Sequence, residues 1–410
     1  MKLLNVLTLE EARTRLSTCI RQIPRRKTSV PLTEAADHIL ARDITVPFDV
    51  PGFRRSAVDG YALIASDTHG AGDAIPVFLK ITEQVHIGEK PLHAITHGEC
   101  AYVPTGGMLP DGADSMVMVE YCDTFSDSDI AVCQAVATGN HVVFPGDDMK
   151  KGEMLLPKET RLRFQEIGAL AAMGITSVPI YEPYTATIIS TGNELLPPAA
   201  ERNIAQIYDS NTYALSIQAE HAGLRVLHRH LVPDDRDLLR QTLTSAMADS
   251  DFVILSGGSS QGKQDLTEAL FHEVSDSGIY AHGLALKPGK PTVLAWDDAG
   301  KTALIGLPGH PAAASIVFEL LVSRVLKFPP VFAEPSLSAV LSVNIASSPG
   351  RETCVPVRLT DSGETLLATP ILGPSGLWSP LVRADGYILI DKNREGLPAG
   401  NAVEVYLLER

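Results

Sequence analysis

Apolar and polar positions follow five successive patterns along the chain. Residues 8–22 (TLEEARTRLSTCIRQ) repeat apolar side chains at helical spacing, and Thr8 with Glu11 predicts a capped helix start. Helical spacing recurs at 32–41 (LTEAADHILA), after Pro31. From 43 to about 140, short β-rich runs (PVFLKIT, ECAYVP, SMVMVE, IAVCQAV) alternate with Gly, Pro and Asp turns, which predicts a small all-β module. A helix is predicted again over 163–173 (RFQEIGALAAM), stopped by Gly174.

Residues 185–330 read as strands and helices in alternation. TATIIST, LRVLHRHLV, DFVILS and TALIGL are the strands; NTYALSIQAEHAG, DRDLLRQTLTSAMA, DLTEALFHEVS and PAAASIVFELLVSRVL are the helices. Short connections between them predict a parallel sheet covered on both faces. The tail from 335 to 410 has no helical period. Its runs LSAVLSVNIA, YILID and AVEVYLLE predict a small terminal β-barrel or sandwich. The fold class is multidomain α/β.

Composition narrows the function classes. The 410 residues carry 34 Lys and Arg against 49 Asp and Glu, a net charge of −15. A basic field is what nucleic acids and anionic membranes select, so both are excluded as bulk partners. No apolar run is long enough to span a bilayer, and MKLLNVLTLEEARTRL lacks the small-residue cleavage site of a signal peptide. The five cysteines are scattered and odd in number, which predicts free thiols in a reducing cytoplasm.

Candidate chemistry gathers just past the predicted strands. Those positions hold Ser190-Thr191-Gly192-Asn193-Glu194, Pro233-Asp234-Asp235, Ser256-Gly257-Gly258-Ser259-Ser260 and Leu307-Pro308-Gly309-His310-Pro311. In open parallel sheets ligands bind in the crevice beyond the carboxyl ends of the strands, so all four stretches are expected on one rim. Glycines there let amide groups approach an anion. Glu194, Asp209, Asp234 and Asp265 would repel that anion unless a cation mediates, and Mg²⁺ bridging carboxylate and phosphate resolves the conflict. Lys287-Pro288-Gly289-Lys290-Pro291 adds a rigid basic clamp. The reading is a site for a phosphorylated small molecule with a divalent metal.

Plainer readings exist for each element. An Asp after a strand is often only a helix cap. His228 and His230 share a strand face and could bind a metal, but a surface pair is the simpler account; His310 reads as a cap-region polar residue. Gly257–Lys263 fits the spacing of a phosphate-binding P-loop, yet Gln264 stands where Ser or Thr would hold Mg²⁺, and no apolar strand ending in Asp offers a second ligand.

Eight segments in order carry a resemblance: DVPGFRRSAVDGYAL (49–63), PTGGMLPDGADSMVMVE (104–120), GDDMKKGE (146–153), STGNEL (190–195), QIYDSN (206–211), SGGSSQGKQD (256–265), LKPGKP (286–291) and GLPGHPAAA (306–314). The chain resembles the molybdopterin molybdenumtransferases, the molybdenum insertases related to the C-terminal part of gephyrin. The resemblance implies a mixed helical domain from 1–45 and 141–182, an inserted β-rich domain over 46–140, an α/β molybdopterin-binding domain over 183–330 and a C-terminal β-barrel over 331–410. It implies a homodimer whose sites combine the α/β rim of one subunit with the β-module of the other. It also implies adenylated molybdopterin as substrate, AMP release, and Mg²⁺-assisted placement of molybdate on the dithiolene sulfurs. A molybdopterin adenylyltransferase and acceptor molybdoenzymes are the implied partners.

By the same resemblance, Asp59, Asp148, Glu194, Asp234 and Asp265 are the catalytic acids, the last three also holding metal. Thr105, Ser190, Gly192, Asp209, Ser256, Gly257, Gly258, Lys287, Lys290, Pro308, Gly309, Pro311 and Ser375 are the substrate-binding positions. The chain departs from the family pattern at Arg54, where an acid is usual. It departs at His310 in place of Asn, at Gly283, at Val142–Pro145, and at Pro356, where an arginine is expected and Arg358 lies nearby. These departures leave open a pterin-binding or sensing paralogue without insertion, or an insertase for tungstate.

Overall fold

In the computed structural model, residues 6–126, 128–257, 264–327 and 335–408 are described; the side chains of Gln264 and Asp265 are outside that set. The chain forms two compact units, one comprising the chain up to Arg26 with Pro183–Arg410, the other Lys27–Glu182.

The first unit is built on a six-stranded sheet. Its order is Leu224–Val232, Tyr184–Thr191, Phe252–Gly257, Thr302–Leu307, Val293–Asp297 and Ile279–His282. The first four strands are parallel, and the last two form an antiparallel pair at one edge. Apolar runs such as Phe252–Leu255 and Thr302–Leu307 are buried along their length, as strands covered on both faces must be. The first strand in the chain, Tyr184–Thr191, lies between the second and the third. The connections therefore leave it in opposite directions, and its end marks the switch point where a crevice opens.

The predicted helix at 8–22 forms over Leu9–Ile20 with Thr8 and Glu11 making a reciprocal capping box. It belongs to the first compact unit, with Pro183–Arg410. Leu9, Ala12, Leu16 and Ile20 enter the core beneath the sheet, with Phe318, Leu320 and Leu321. Arg13 Nε donates to Leu320 O at 2.6 Å. The helix starting at Pro311 passes through a π-helical stretch, Phe318–Ser323, before Arg324–Lys327.

A closed barrel follows. Glu352–Asp361 pairs with both Leu366–Pro370 and Gly386–Ile390; Ala402–Leu407 and Ser336–Leu341 complete the ring of five. Leu286–Lys287 adds in parallel to Glu352–Thr353 and so joins the LKPGKP segment to this barrel.

The second unit contains the expected β-module, a six-stranded sheet in the order Ser115–Met118, Gly60–Leu63, Glu99–Val103, Val77–Gln84, Asp129–Val132 and Cys122–Thr124. Phe164–Ala172 is helical, and Gly174 follows at φ 69°. The predicted helix at 32–41 is corrected. Only a short turn, Leu32–Glu34, forms, and Ile39–Leu40 is a strand paired with Ile180 and Tyr181. Asp37 at φ 65° interrupts the helical path, and the apolar spacing instead buries Ala35 and Leu40 against Val178 and Ile180.

Candidate active site

The strand ends at the switch point are locked together by short polar side chains. Asp234 accepts hydrogen bonds from Thr191 Oγ1 at 2.9 Å and from the Asn193 amide at 3.3 Å, while its own amide donates to Asn193 Oδ1 at 3.0 Å. Its neighbour does different work: Asp235 caps the helix Arg236–Asp249 through the amides of Asp237 and Leu238. Glu194 is exposed on the same loop as Asn193. Its carboxylate folds back over Gly192, where an added Cβ would meet it at 3.0 Å. Thus Glu194 and Asp234 belong to one loop junction. Gly257 closes the neighbouring strand at φ 133°, and a Cβ there would lie 2.3 Å from Thr191 O. Only glycine lets these two strand ends approach so closely.

Ser190 and Ser256 are fully buried, so they support the rim instead of presenting hydroxyls to a ligand. Thr212 Oγ1 donates to Ser190 Oγ at 2.8 Å. Ser256 Oγ accepts from Asn211 Nδ2 at 2.8 Å and donates to Pro308 O at 3.3 Å. Asp209 is also buried, and its carboxylate accepts from the Thr212 amide at 3.1 Å, a helix-starting role. Asn211 Nδ2 donates to Gly309 O at 2.9 Å, which fixes the orientation of its amide, since a flipped oxygen would face that carbonyl. Asn211 is a residue that the sequence reading did not single out, although it lies inside the quoted motif QIYDSN.

The two inward carbonyls shape the loop Pro308–Pro311. A trans peptide sets its N–H opposite its C=O. With Pro308 O and Gly309 O drawn inward by Ser256 and Asn211, the amides of Gly309 and His310 face outward. On the outer side, Ser375 O accepts from the Ala312 amide at 3.1 Å, and Ser375 Oγ lies 2.9 Å from His310 Nδ1. Ser375 therefore contacts this loop through both its backbone and its side chain. Trp378 Nε1 adds a bond to Ser210 Oγ at 2.9 Å. His310 precedes the helix without capping it by its side chain.

Lys287 and Lys290 are exposed, and among the described residues no carboxylate pairs with either. Lys287 Nζ instead donates to Ser348 Oγ of the barrel at 2.8 Å. Gly258 and the P-loop-like residues 258–263 lie outside the described residues, as does the Asp265 side chain, although its backbone is in the helix Gln264–Val274. Among the described residues no three acids, histidines or cysteines are grouped as a metal site. Pro356 lines an apolar cavity of about 390 Å³ with Leu320, Trp378 and Tyr387, whose one acid is Glu319 and whose lining holds none of the candidate acids or lysines.

In the second unit, two distant motifs meet and a third lies nearby. Asp59 Oδ1 accepts from both the Thr105 amide, at 2.7 Å, and Thr105 Oγ1, at 3.0 Å. Arg55 bridges Met108 and pairs with Val143, and the Asp148 amide donates to Val50 O. So SAVDGYA and PTGG are in direct contact, the GDD turn is tied to Val50, and Asp59, Thr105 and Asp148 are all exposed. Arg54 braces this fold: its Nη1 donates to Ala113 O at 2.7 Å.

The comparisons agree along the length of the chain. Residues 7–174 match the model described as the MoeA N-terminal region (domain I and II). Residues 187–327 match a probable molybdopterin binding domain, and 338–408 match the MoeA C-terminal region (domain IV). A putative molybdopterin biosynthesis protein of Methanocaldococcus jannaschii is 32% identical over 93% of this chain and 92% of its own. The molybdopterin molybdenumtransferase of Bacillus subtilis is 30% identical over 92% and 89%. The crystal structure of a Pyrococcus horikoshii molybdopterin biosynthesis MoeA protein superposes with TM-score 0.81 at 34% identity, covering 98% of this chain and 99% of that one. The chain belongs to the MoeA family of molybdopterin molybdenumtransferases, and is a transferase of molybdenum cofactor biosynthesis.

Proposed function

We propose that the enzyme acts on adenylated molybdopterin, cleaves its pyrophosphate to release AMP, and places molybdate on the dithiolene sulfurs. The observation that carries this reading is the junction at the switch point, where Thr191 and Asn193 hold Asp234 beside the loop of Glu194. Oxygen donors of this kind suit Mg²⁺, which commonly takes one or two carboxylates together with substrate phosphates and keeps several waters. Glu194, Asp234 and Asp265 would hold it. When bound, the metal supplies charge neutralisation and a polarised water for the pyrophosphate.

The chain's own residues perform the remaining work. Lys287 and Lys290 neutralise phosphate oxygens as charge leaves the breaking P–O bond. Asn193 and Thr191 keep the Asp234 carboxylate oriented, so little reorganisation accompanies the reaction. Pro308 and Pro311 stiffen the loop whose outward amides meet the oxyanion. Asp59, Thr105 and Asp148, contributed by the second subunit of a homodimer, position the attacking water and the dithiolene end. The Asp59 carboxylate is already oriented for this by two hydrogen bonds from Thr105.

The test is a single-turnover assay of AMP release from adenylated molybdopterin. Release that requires both Mg²⁺ and molybdate supports the reading. Folded protein that releases no AMP above a protein-free blank overturns it.

A further inference from the structure

His310 is the family departure nearest to the rim, and the structure gives it a definite task. The loop Pro308–Pro311 is held from inside by Ser256 and Asn211, which engage its carbonyls. It is held from outside by one residue of the terminal domain: Ser375 accepts the Ala312 amide through its carbonyl and meets His310 Nδ1 through its hydroxyl. The imidazole lies along Gly376, where a Cβ would come within 4.0 Å of Cδ2. Without the His310–Ser375 bond, the backbone contact at Ala312 is the remaining restraint on the loop's outer side among the described residues.

We propose that His310, acting through Ser375, is a positioning residue that sets the rim loop for molybdate. The inference rests on the proposed reaction, because it takes the loop's outward amides as contacts for a tetrahedral oxyanion. Its chemistry makes a specific demand. Nδ1 is bonded directly to Cγ, so asparagine places a polar atom at the same point on the side chain. Glutamine places its polar atoms one bond further out, near the position of Nε2. Asparagine therefore preserves the clamp, whereas glutamine and alanine break it.

Equilibrium dialysis of molybdate against wild type, H310N, H310Q, H310A and S375A tests this in the full-length protein. The expected result is a Kd raised about tenfold in H310Q, H310A and S375A, the size of one lost hydrogen bond, and changed by less than about twofold in H310N. In AMP release, H310Q and H310A raise KM for molybdate at nearly unchanged kcat, with KM for adenylated molybdopterin unaltered. S375A serves where H310A folds poorly. Equal affinities across the series, an H310N as weak as H310A, or no molybdate binding by wild type would overturn the proposal. If the affinity order holds but no variant or wild type releases AMP, the clamp stands and the proposed reaction fails.

Discussion

Two adjacent acids, Asp234 and Asp235, should fail in opposite ways when removed. Asp235 accepts from two amides at the start of the helix Arg236–Asp249, at 3.0 and 2.9 Å. Replacing such a cap by alanine costs about 1 kcal/mol, and for a cooperative unit of this size that lowers Tm by about 2–4 °C. No ligand-facing role accompanies it, so D235A should keep its AMP-release rate. Asp234 instead joins two strand ends through Thr191 and Asn193. D234A should lose on the order of a hundredfold in turnover, the scale of removing one preorganised electrostatic partner. Its stability loss should be about that of one or two hydrogen bonds, roughly 1–2 kcal/mol. Thermal melts alongside single-turnover AMP release separate the two effects. A D235A enzyme that is inactive at unchanged Tm, or a D234A enzyme with full turnover, would refute the division of labour.

Three further outcomes follow from the same reasoning. Thr105→Val removes one of the two bonds that hold Asp59 and should lower AMP release by about tenfold with little change in Tm; wild-type turnover in the variant would show that Asp59 needs no such support. Leu16→Ala empties a fully buried position beneath the sheet and should cost about 2–5 kcal/mol in chemical denaturation, whereas a near-neutral result would place the N-terminal helix outside that core. Burial, and secondarily His228, hold the His230 imidazole below its ordinary value. The unfolded chain therefore takes up the proton first, and stability is lost as pH falls below that ordinary value; His230→Gln should flatten the fall in Tm between pH 7 and 5, and an unchanged slope would contradict the assignment.

Much of the architecture was legible because it rests on local spacing. The helix Leu9–Ile20 shows its cap in Thr8 and Glu11, and the buried strands of the sheet announce themselves as apolar runs between glycines. The stretch 32–41 misleads because apolar positions three and four apart also suit a bent turn entering a strand, and nothing local signals that Asp37 adopts φ 65°. The grouping of the N-terminal helix depends on which core receives Leu9 and Leu16, a tertiary fact that spacing cannot carry. At the site, Asp59 with Thr105 and His310 with Ser375 are partners separated by 46 and 65 positions. Motifs name such residues, but only the fold shows which of them touch. The same holds for Asp234 and Asp235, identical in type and adjacent in sequence, yet one caps a helix and the other ties the rim.

The central claim is that this rim takes a pterin joined to AMP through a pyrophosphate. Mass spectrometry of small molecules released from D234A protein, purified from cells that supply molybdopterin, reads that claim directly. A slowed enzyme that still binds its substrate should carry the mass of adenylated molybdopterin, while wild type carries little of it. Recovery of a nucleoside triphosphate alone, or of no pterin from either protein, would contradict the account.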